Sequence, residues 1–414
     1  LFVVIIYIKD LLSFFVKTSM DEPAVGVLLS EHIHPNTEIV LDDVFNNTIY
    51  SYYKDLRTQV EWSTDATLLQ HVRCAYVVMI GRTDLCWEDT VAYRGALLFP
   101  DNDNIFLWND TFHPKVRIYR MVSEETMYLN LMRYTLENGL VRNDRTQVGT
   151  RSVFGKSIQF SLQHDTLPLL TSKKVYFKAV LHELLWFLKG STTTDSLHEH
   201  NIKIWDGNSN RDFLNSRGLN SYREGELGPI YGYQWRNWGD VYQPVSQRNE
   251  PYSKQEGIDQ IRQIVTTLQR GDHHNRRMIL SAWNVSDLDK MVLPPCHCLC
   301  QFYVSDVGLC CALTQRSADV FLGLPFNIVS YAVLTRMIAH VCGLACDKLV
   351  IHLGDTHVYS NHVDQCTTQL QNKIHNFPTL RITKSTINID ELVYEDFVVE
   401  NYVCNSSIRA PMAA

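Results

Sequence analysis

The chain has 414 residues, 45% of them hydrophobic and 20% charged, which is enough apolar material for one large domain or two of moderate size. Its 38 basic residues face 45 acidic ones, a formal charge of −7. That balance excludes a general electrostatic pull on nucleic acid and leaves room only for a local basic patch on a small anion.

The eleven cysteines are odd in number and follow no framework spacing. Cys310, Cys311, Cys342 and Cys346 lie in apolar runs, so reduced thiols in a cytoplasmic protein are expected. Residues 1–19, LFVVIIYIKDLLSFFVKTS, open on an apolar run that breaks at Lys9-Asp10, too early for a membrane span of roughly 20 residues. No basic segment precedes the run and no small-residue cleavage site follows it, so an export signal is not expected either. The first methionine is Met20, and residues 1–19 read as a stretch upstream of the natural start or a fragment end. From 20 to about 120 the texture is mixed: AYVVMIGR (Ala75 to Arg82) is strand-like, while FPDNDN and WNDTFHP are polar loops. This region shows no phosphate-cradling glycine pattern and no catalytic constellation, and stays unassigned.

A helix is expected after Ser123, an N-cap followed by acids. Met127, Leu131 and Tyr134 recur at helical spacing, and Asn138-Gly139 is a stop signal. The next loop, NDRTQVGTRS, brings Arg145, Thr146 and Arg151 close together, either as a solvated turn or as a fork of donors suited to phosphate. FKAVLHELLWFLK, Phe177 to Lys189, is apolar on nearly every side, the mark of a buried helix. Glu183 in its middle either occupies one exposed strip or is buried, and then it is paired or its pKa rises by desolvation.

Leu299 to Val304 and Leu309 to Thr314 flank Ser305-Asp306-Val307-Gly308, a hairpin signal. Alternation then sets Cys296, Cys298, Cys300 and Phe302 on one face, with His297, Leu299, Gln301 and Tyr303 on the other. Thiols about 7 Å apart per two-residue step cannot all ligate one ion, and no second pair stands at matching spacing, so no metal is expected. Cys298 and Cys300 read as packed strand residues. Cys296, directly after Pro294-Pro295, stands where a side chain can face a cleft, and a neighbouring His or Arg would make it a nucleophile. Position alone leaves Cys296 open between these readings. One more helix is expected from about Asn327 to His340.

LPPCHCLCQFYV followed by LTQRSADVFLGLPFNIVSYAVL resembles the thymidylate synthase family. So do NDRTQVGT, HELLWFLKGST, IKIWDGN, LGPIYGYQWR, DHHNRRMILSAWN and HLGDTHVYSNH, in the family's order and at its spacing. The resemblance implies that residues 121–414 form an α+β domain, a mixed β-sheet flanked by helices with the sheet at a homodimer interface. It implies reductive methylation of dUMP by 5,10-methylenetetrahydrofolate, yielding dTMP and dihydrofolate without a metal. The Cys296 thiolate would add to uracil C6 and make C5 nucleophilic, Glu183 would serve proton transfer at O4 and N5, and Tyr231 would serve the C5 proton step. Arg145, Arg316 and Ser317 match phosphate ligands from the same chain, and Arg276 and Arg277 the pair given by the neighbouring subunit. Asn327 would read O4 and N3–H of the base with one amide. His357 and Tyr359 match the pair at the sugar 3′-hydroxyl, and His297, Gln315 and Asp319 complete the substrate set. Ile204, Trp205, Asn208, Asp319, Leu322, Gly323 and Phe326 match the folate-facing set, with Met412 and Ala413 in a C-terminal flap that closes over the site.

Two departures stand out: Gln147 where many members have glycine, which implies a stiffer phosphate loop, and Cys298 where alanine is frequent. A deoxycytidylate hydroxymethylase shares the fold and the cysteine chemistry, but a cytosine amino group calls for an acceptor-only Asp where this chain has Asn327. A catalytically silent nucleotide- or RNA-binding relative is the other alternative, against which Cys296, Glu183, Tyr231 and the net charge argue. In some organisms a thymidylate synthase follows a dihydrofolate reductase in one chain. VVMIGRT is similar to a reductase segment, yet neither the reductase carboxylate nor its nucleotide-binding glycines can be located, so an appendage without reductase activity is expected.

Overall fold

The computed structural model describes residues 123–143, 147–247 and 257–412, together with seven strands between residues 3 and 123. The chain divides into two units, Leu1–Thr126 and Met127–Ala414. In the first, the seven strands share one sheet, in which Cys74–Gly81, the strand expected from AYVVMIGR, pairs antiparallel with Lys115–Ser123.

From Met127 onward α1, Glu125–Asn138, belongs to the second unit. Its buried stripe is Tyr128, Leu131, Met132 and Thr135, the i, i+3, i+4, i+7 pattern of a helix lying on a core. Tyr134, expected in that stripe, is exposed, and the Lys156 ammonium lies over its ring at 3.9 Å. Six strands follow: β1 Leu140–Arg142, β2 Thr150–Ser161, β3 Ile279–Ser281, β4 His297–Val304, β5 Leu309–Asp319 and β6 Cys346–Tyr359. They form one mixed sheet in the order β3-β4-β5-β6-β2-β1, in which only β5 and β6 run parallel.

Strand register sorts the two faces of this sheet. Cys300, Leu313, Ile351 and Ile158 form one cross-strand row, and Phe302, Cys311, Leu349 and Phe160 the next; both rows are buried. The rows that alternate with them point the other way. Thr314, His352 and Ser157 are exposed, as are Gln301 on β4 and its partner Ile279 on β3.

On the buried face lies α5, Gly323–Val341, which also packs on α2, Phe177–Leu188, while α4, Gln260–Gln269, packs beside β3. By length and apolar content α5 could cross a membrane, but most of it is buried as the central rod of the core. It starts at Gly323, four residues before the expected Asn327. Pro325 is tolerated in the first turn, where its missing N–H costs no bond. Asp319 Oδ1 accepts the N–H groups of Phe321 (3.0 Å) and Leu322 (3.3 Å) just ahead of it. It ends at Gly343, whose φ of +67° allows Leu344 N–H to reach Ala339 O at 2.9 Å and Gly343 N–H to reach His340 O at 3.2 Å. A short helix, α3 (Tyr231–Arg236), lies against α2 through Gly232, where an added Cβ would stand 2.2 Å from Phe187 O. That close approach seats Tyr231 beside Phe187, with ring centroids 5.0 Å apart.

Candidate active site

The cysteine stretch does not alternate as a regular strand. From His297 to Leu299, β4 spends two residues while β5 spends one, Gln315 to Thr314, so Cys298 is the extra residue of a β-bulge. His297 is therefore buried on the same side as Cys300 and Phe302, not on the face of Gln301 and Tyr303 as alternation predicts. Cys298 turns back to the strand entrance, its sulfur 3.5 Å from the carbonyls of Pro295 and Cys296, and partial burial raises its pKa.

Cys296 stands one residue before β4 and is half-buried. Its N–H donates to the Tyr231 phenol oxygen at 2.9 Å, and a guanidinium nitrogen of Arg316 lies 3.8 Å from its sulfur. Arg316 is held there by the carbonyls of Pro295 (Nε, 2.9 Å) and Pro294 (2.8 Å), so the two prolines before the cysteine fix its cation as well. Tyr231 stacks on His297, 4.0 Å between centroids. Burial holds the Tyr231 phenol well above its ordinary pKa, with the neighbouring Cys296 next in effect, so it stays protonated. Burial pushes the His297 imidazole down to about 3; it is neutral, with Nδ1 2.8 Å from the Tyr331 hydroxyl.

Glu183 points from α2 to the same place. Trp205 Nε1–H donates to its Oε1 at 2.8 Å, and the Trp205 ring lies 6.2 Å from that of Tyr231. The residue as a whole is only half-buried, yet protein atoms crowd its carboxyl. Desolvation raises its pKa from 4.5 to about 7, against the opposing pull of the Trp205 bond. At neutral pH such a group is able both to give and to take a proton.

On β5, Gln315 is buried, and its Nε2 donates to Ser317 O and to Asn327 Oδ1, each at 3.0 Å. Those bonds orient the Asn327 amide with its NH2 group unspent, while Gln315 Oε1 stays buried without a partner. Asp319 and His357 are register partners at the ends of the parallel strands β5 and β6. His357 Nδ1 meets Asp355 Oδ1 at 2.8 Å, and that bond holds the Asp355 carboxyl below its ordinary range. The Tyr359 ring stands edge-on to His357, 5.1 Å away. Leu322 and Gly323 open α5, Phe326 adjoins Asn327 within it, and Ile204, Leu322 and Phe326 are half-buried against the core. Asn208 is buried in a short helix that begins at Asp206.

Arg276 and Arg277 are exposed in the turn before β3 and are not brought to Cys296 within one chain. Gln301 Nε2 donates to Arg276 O at 3.1 Å, and Gln301 is five strand residues, about 16 Å, from Cys296. Arg145 and Ala413 lie outside the described residues, whereas Met412 is exposed. Gln147, in the loop after Arg145, has a φ of +60°, a conformation glycine takes without cost and glutamine does not.

Sequence reasoning missed two neighbours. Lys173 is buried, donates to Phe321 O, lies 3.5 Å over the Phe321 ring, and has its pKa pushed down to about 8 by burial. His362, the last residue of HLGDTHVYSNH, carried no assignment and is completely buried beside Asp319 and Tyr359. Among the described residues no group of three His, Cys, Asp or Glu is placed to hold a metal.

The sequence model described as thymidylate synthase matches residues 126–414. The chain belongs to the thymidylate synthase family. Human thymidylate synthase is 47% identical over 289 residues, which cover 70% of this chain and 90% of the human protein. The thymidylate synthase of Herpesvirus ateles is also 47% identical over 289 residues, covering 98% of the viral protein. A bifunctional dihydrofolate reductase-thymidylate synthase of carrot, Daucus carota, is 39% identical over 387 residues, 93% of this chain and 70% of the plant protein. That likeness is longer than the family match and so reaches into the residues ahead of 126.

Proposed function

We infer that this chain is a thymidylate synthase, which methylates dUMP to dTMP with 5,10-methylenetetrahydrofolate as the co-substrate. One observation carries the reading: in a chain matching this family, Cys296 is pinned through its N–H by Tyr231 and faced by the Arg316 guanidinium at 3.8 Å. In the mechanism we propose, Arg316 stabilises the charged sulfur and Cys296 adds to C6 of the uracil ring, which moves electron density to C5 and O4. Asn327, held by Gln315, donates to O4 and so favours that charge. The co-substrate supplies the methylene carbon and then the hydride. Glu183, with a pKa near neutrality, moves protons through water to O4 and the folate nitrogen. Tyr231, which stays protonated, orders the path by which C5 loses its proton. The Cys296–C6 bond then breaks and the thiolate is restored.

The residues present suit a folate. Ile204, Trp205, Leu322 and Phe326 supply apolar walls, and Asp319 supplies an acceptor-only carboxylate for ring N–H groups. We further propose a homodimer that joins through the open face of the sheet. Exposed Ile279 and Tyr303 on that face support this, as does the distance of Arg276 and Arg277 from the Cys296 of their own chain, which suits them to a partner's phosphate site. Arg145, Arg316 and Ser317 would meet the phosphate from the same chain, and His357 and Tyr359 the sugar. Catalysis is placed in residues 121–414, with residues 20–120 as an appendage without reductase activity. The nine described cysteines are free thiols, which supports a cytoplasmic setting.

The deciding assay follows dihydrofolate absorbance and dTMP together, with the purified full chain, dUMP and methylenetetrahydrofolate. The two products appear in equal amounts. A nucleotide product without dihydrofolate would mean hydroxymethylation, and no product from folded protein would move the chain to the binding-protein reading.

A further inference from the structure

His362 closes the turn Ser360–His362 after β6, is fully buried, and has no part in the reaction steps above. Its two nitrogens face different segments. Nε2 lies 2.7 Å from the carbonyl oxygen of Pro411, and since a carbonyl only accepts, Nε2 carries the proton. Nδ1 lies 3.9 Å from Asp319 Oδ1 and has no hydrogen-bond partner. The ring is fixed between Tyr359, edge-on at 5.5 Å, and Phe321, tilted at 5.5 Å.

The anchoring of the C-terminal segment stops short of Pro411. Tyr402 OH donates to Leu170 O at 2.8 Å, and Asn405 N–H to Thr171 O at 2.8 Å. Past Ser406, Ile408 and Ala410 are only partly buried, and the hydrogen bond described for that stretch is the one from His362. On the other side, the Nδ1 lone pair faces the acceptor oxygen of Asp319. Asp319 Oδ1 already accepts the N–H groups of Phe321 and Leu322, so no proton bridges it to the imidazole.

We propose that His362 is a positioning residue that latches the C-terminal tail. It holds Pro411 through Nε2, and its ring packs on Phe321 in the Asp319–Leu322 turn, so that closure of the tail and seating of the folate ring at Asp319 become one event. This rests on the reading of the tail as a flap over the folate site.

The test is light trypsin digestion of the full chain, counting the peptide Ala410–Ala414 released after exposed Arg409 by mass spectrometry. H362N and H362Q carry the same amide with different reach: the shorter stops at the position of Nδ1, the longer extends to that of Nε2. Loss of one ordinary hydrogen bond frees the tail about three- to ten-fold. H362N is therefore cleaved faster by that factor, and its KM for methylenetetrahydrofolate rises similarly while its dUMP affinity holds; H362Q keeps wild-type behaviour. Adding dUMP with tetrahydrofolate, which lacks the carbon to be transferred, slows cleavage in wild type and H362Q but not in H362N. Equal cleavage of H362N and wild type overturns the latch. Equal failure of both variants, including a shared fall in Tm, overturns it too, because reach would then not matter. Tail cleavage in the unliganded protein needs no turnover, so a failed latch is distinct from a failed synthase assignment, which would appear as wild-type protein making no dihydrofolate.

Discussion

Glu183→Gln raises stability at pH 8 and lowers turnover, because the same desolvation makes the carboxyl useful and costly. Its pKa rises from 4.5 in the open chain to about 7 in the fold. At about 1.4 kcal/mol per pH unit, the folded protein at pH 8, where both states are ionised, carries a cost of about 3 kcal/mol. The residue is only half-buried, so solvent screening brings the working figure to about 1–2 kcal/mol. Between pH 4.5 and 7 the native state holds the proton more tightly than the unfolded chain, so this group makes stability fall as pH rises through that window. Glutamine keeps the oxygen that accepts from Trp205 Nε1 and cannot ionise. Melting curves of wild type and variant therefore coincide below pH 4.5 and separate above pH 7, with the variant higher by about 2–4 °C per kcal/mol. Loss of proton transfer lowers kcat by about 10²- to 10⁴-fold. A Tm difference independent of pH, or an unchanged kcat, would refute the desolvation argument.

Cys296→Ser abolishes turnover (at least about 10³-fold) yet still binds dUMP in calorimetry, since the phosphate and base contacts remain; weak binding by the folded variant would remove Cys296 from the nucleophile's place. Asn327→Asp replaces the amide donor with an acceptor and shifts preference from dUMP toward dCMP, read as the ratio of kcat/KM for the two nucleotides, and an unchanged ratio breaks the base-reading argument. Mixing Cys296→Ser chains with chains bearing both Arg276→Ala and Arg277→Ala recovers about a quarter of wild-type activity in a one-to-one mixture if each site borrows its arginines, because half the dimers then hold one complete site of two. No recovery after subunit exchange would place those arginines elsewhere.

Local signals foretold the elements they govern. The acids after Ser123, the apolar run from Phe177 and the turn at Ser305–Gly308 lead to α1, α2 and the β4–β5 hairpin close to their expected limits, although Ser123 itself ends a strand and α1 begins only at Glu125. The isolation of Glu183 among apolar neighbours already implied either a partner or a raised pKa, and it has both. Its partner, Trp205, lies 22 positions away, which helix periodicity has no means of indicating. The bulge escaped for a related reason: alternation describes one strand, and a bulge exists only in the mismatch between two. Tyr134 shows the limit of spacing as a guide, because a one-residue rotation of the stripe sent it to solvent. The parallel pairing of β5 with β6 depends on the return through α5, a tertiary fact that neither strand encodes by itself.

The bulge at Cys298 also makes the number of residues in this stretch a structural quantity in its own right. The spacing from Pro295 to Cys300 includes one residue more than a regular strand would need to meet β5. Deleting it would leave every side chain assigned to the reaction in the gene and restore an orderly ladder. It would also swing His297 off Tyr231 and withdraw the cysteine from Arg316. Substitutions at Cys298 are therefore tolerated more readily than its removal, and in this chain the count of residues between the prolines and the strand shapes the site as much as the thiol does.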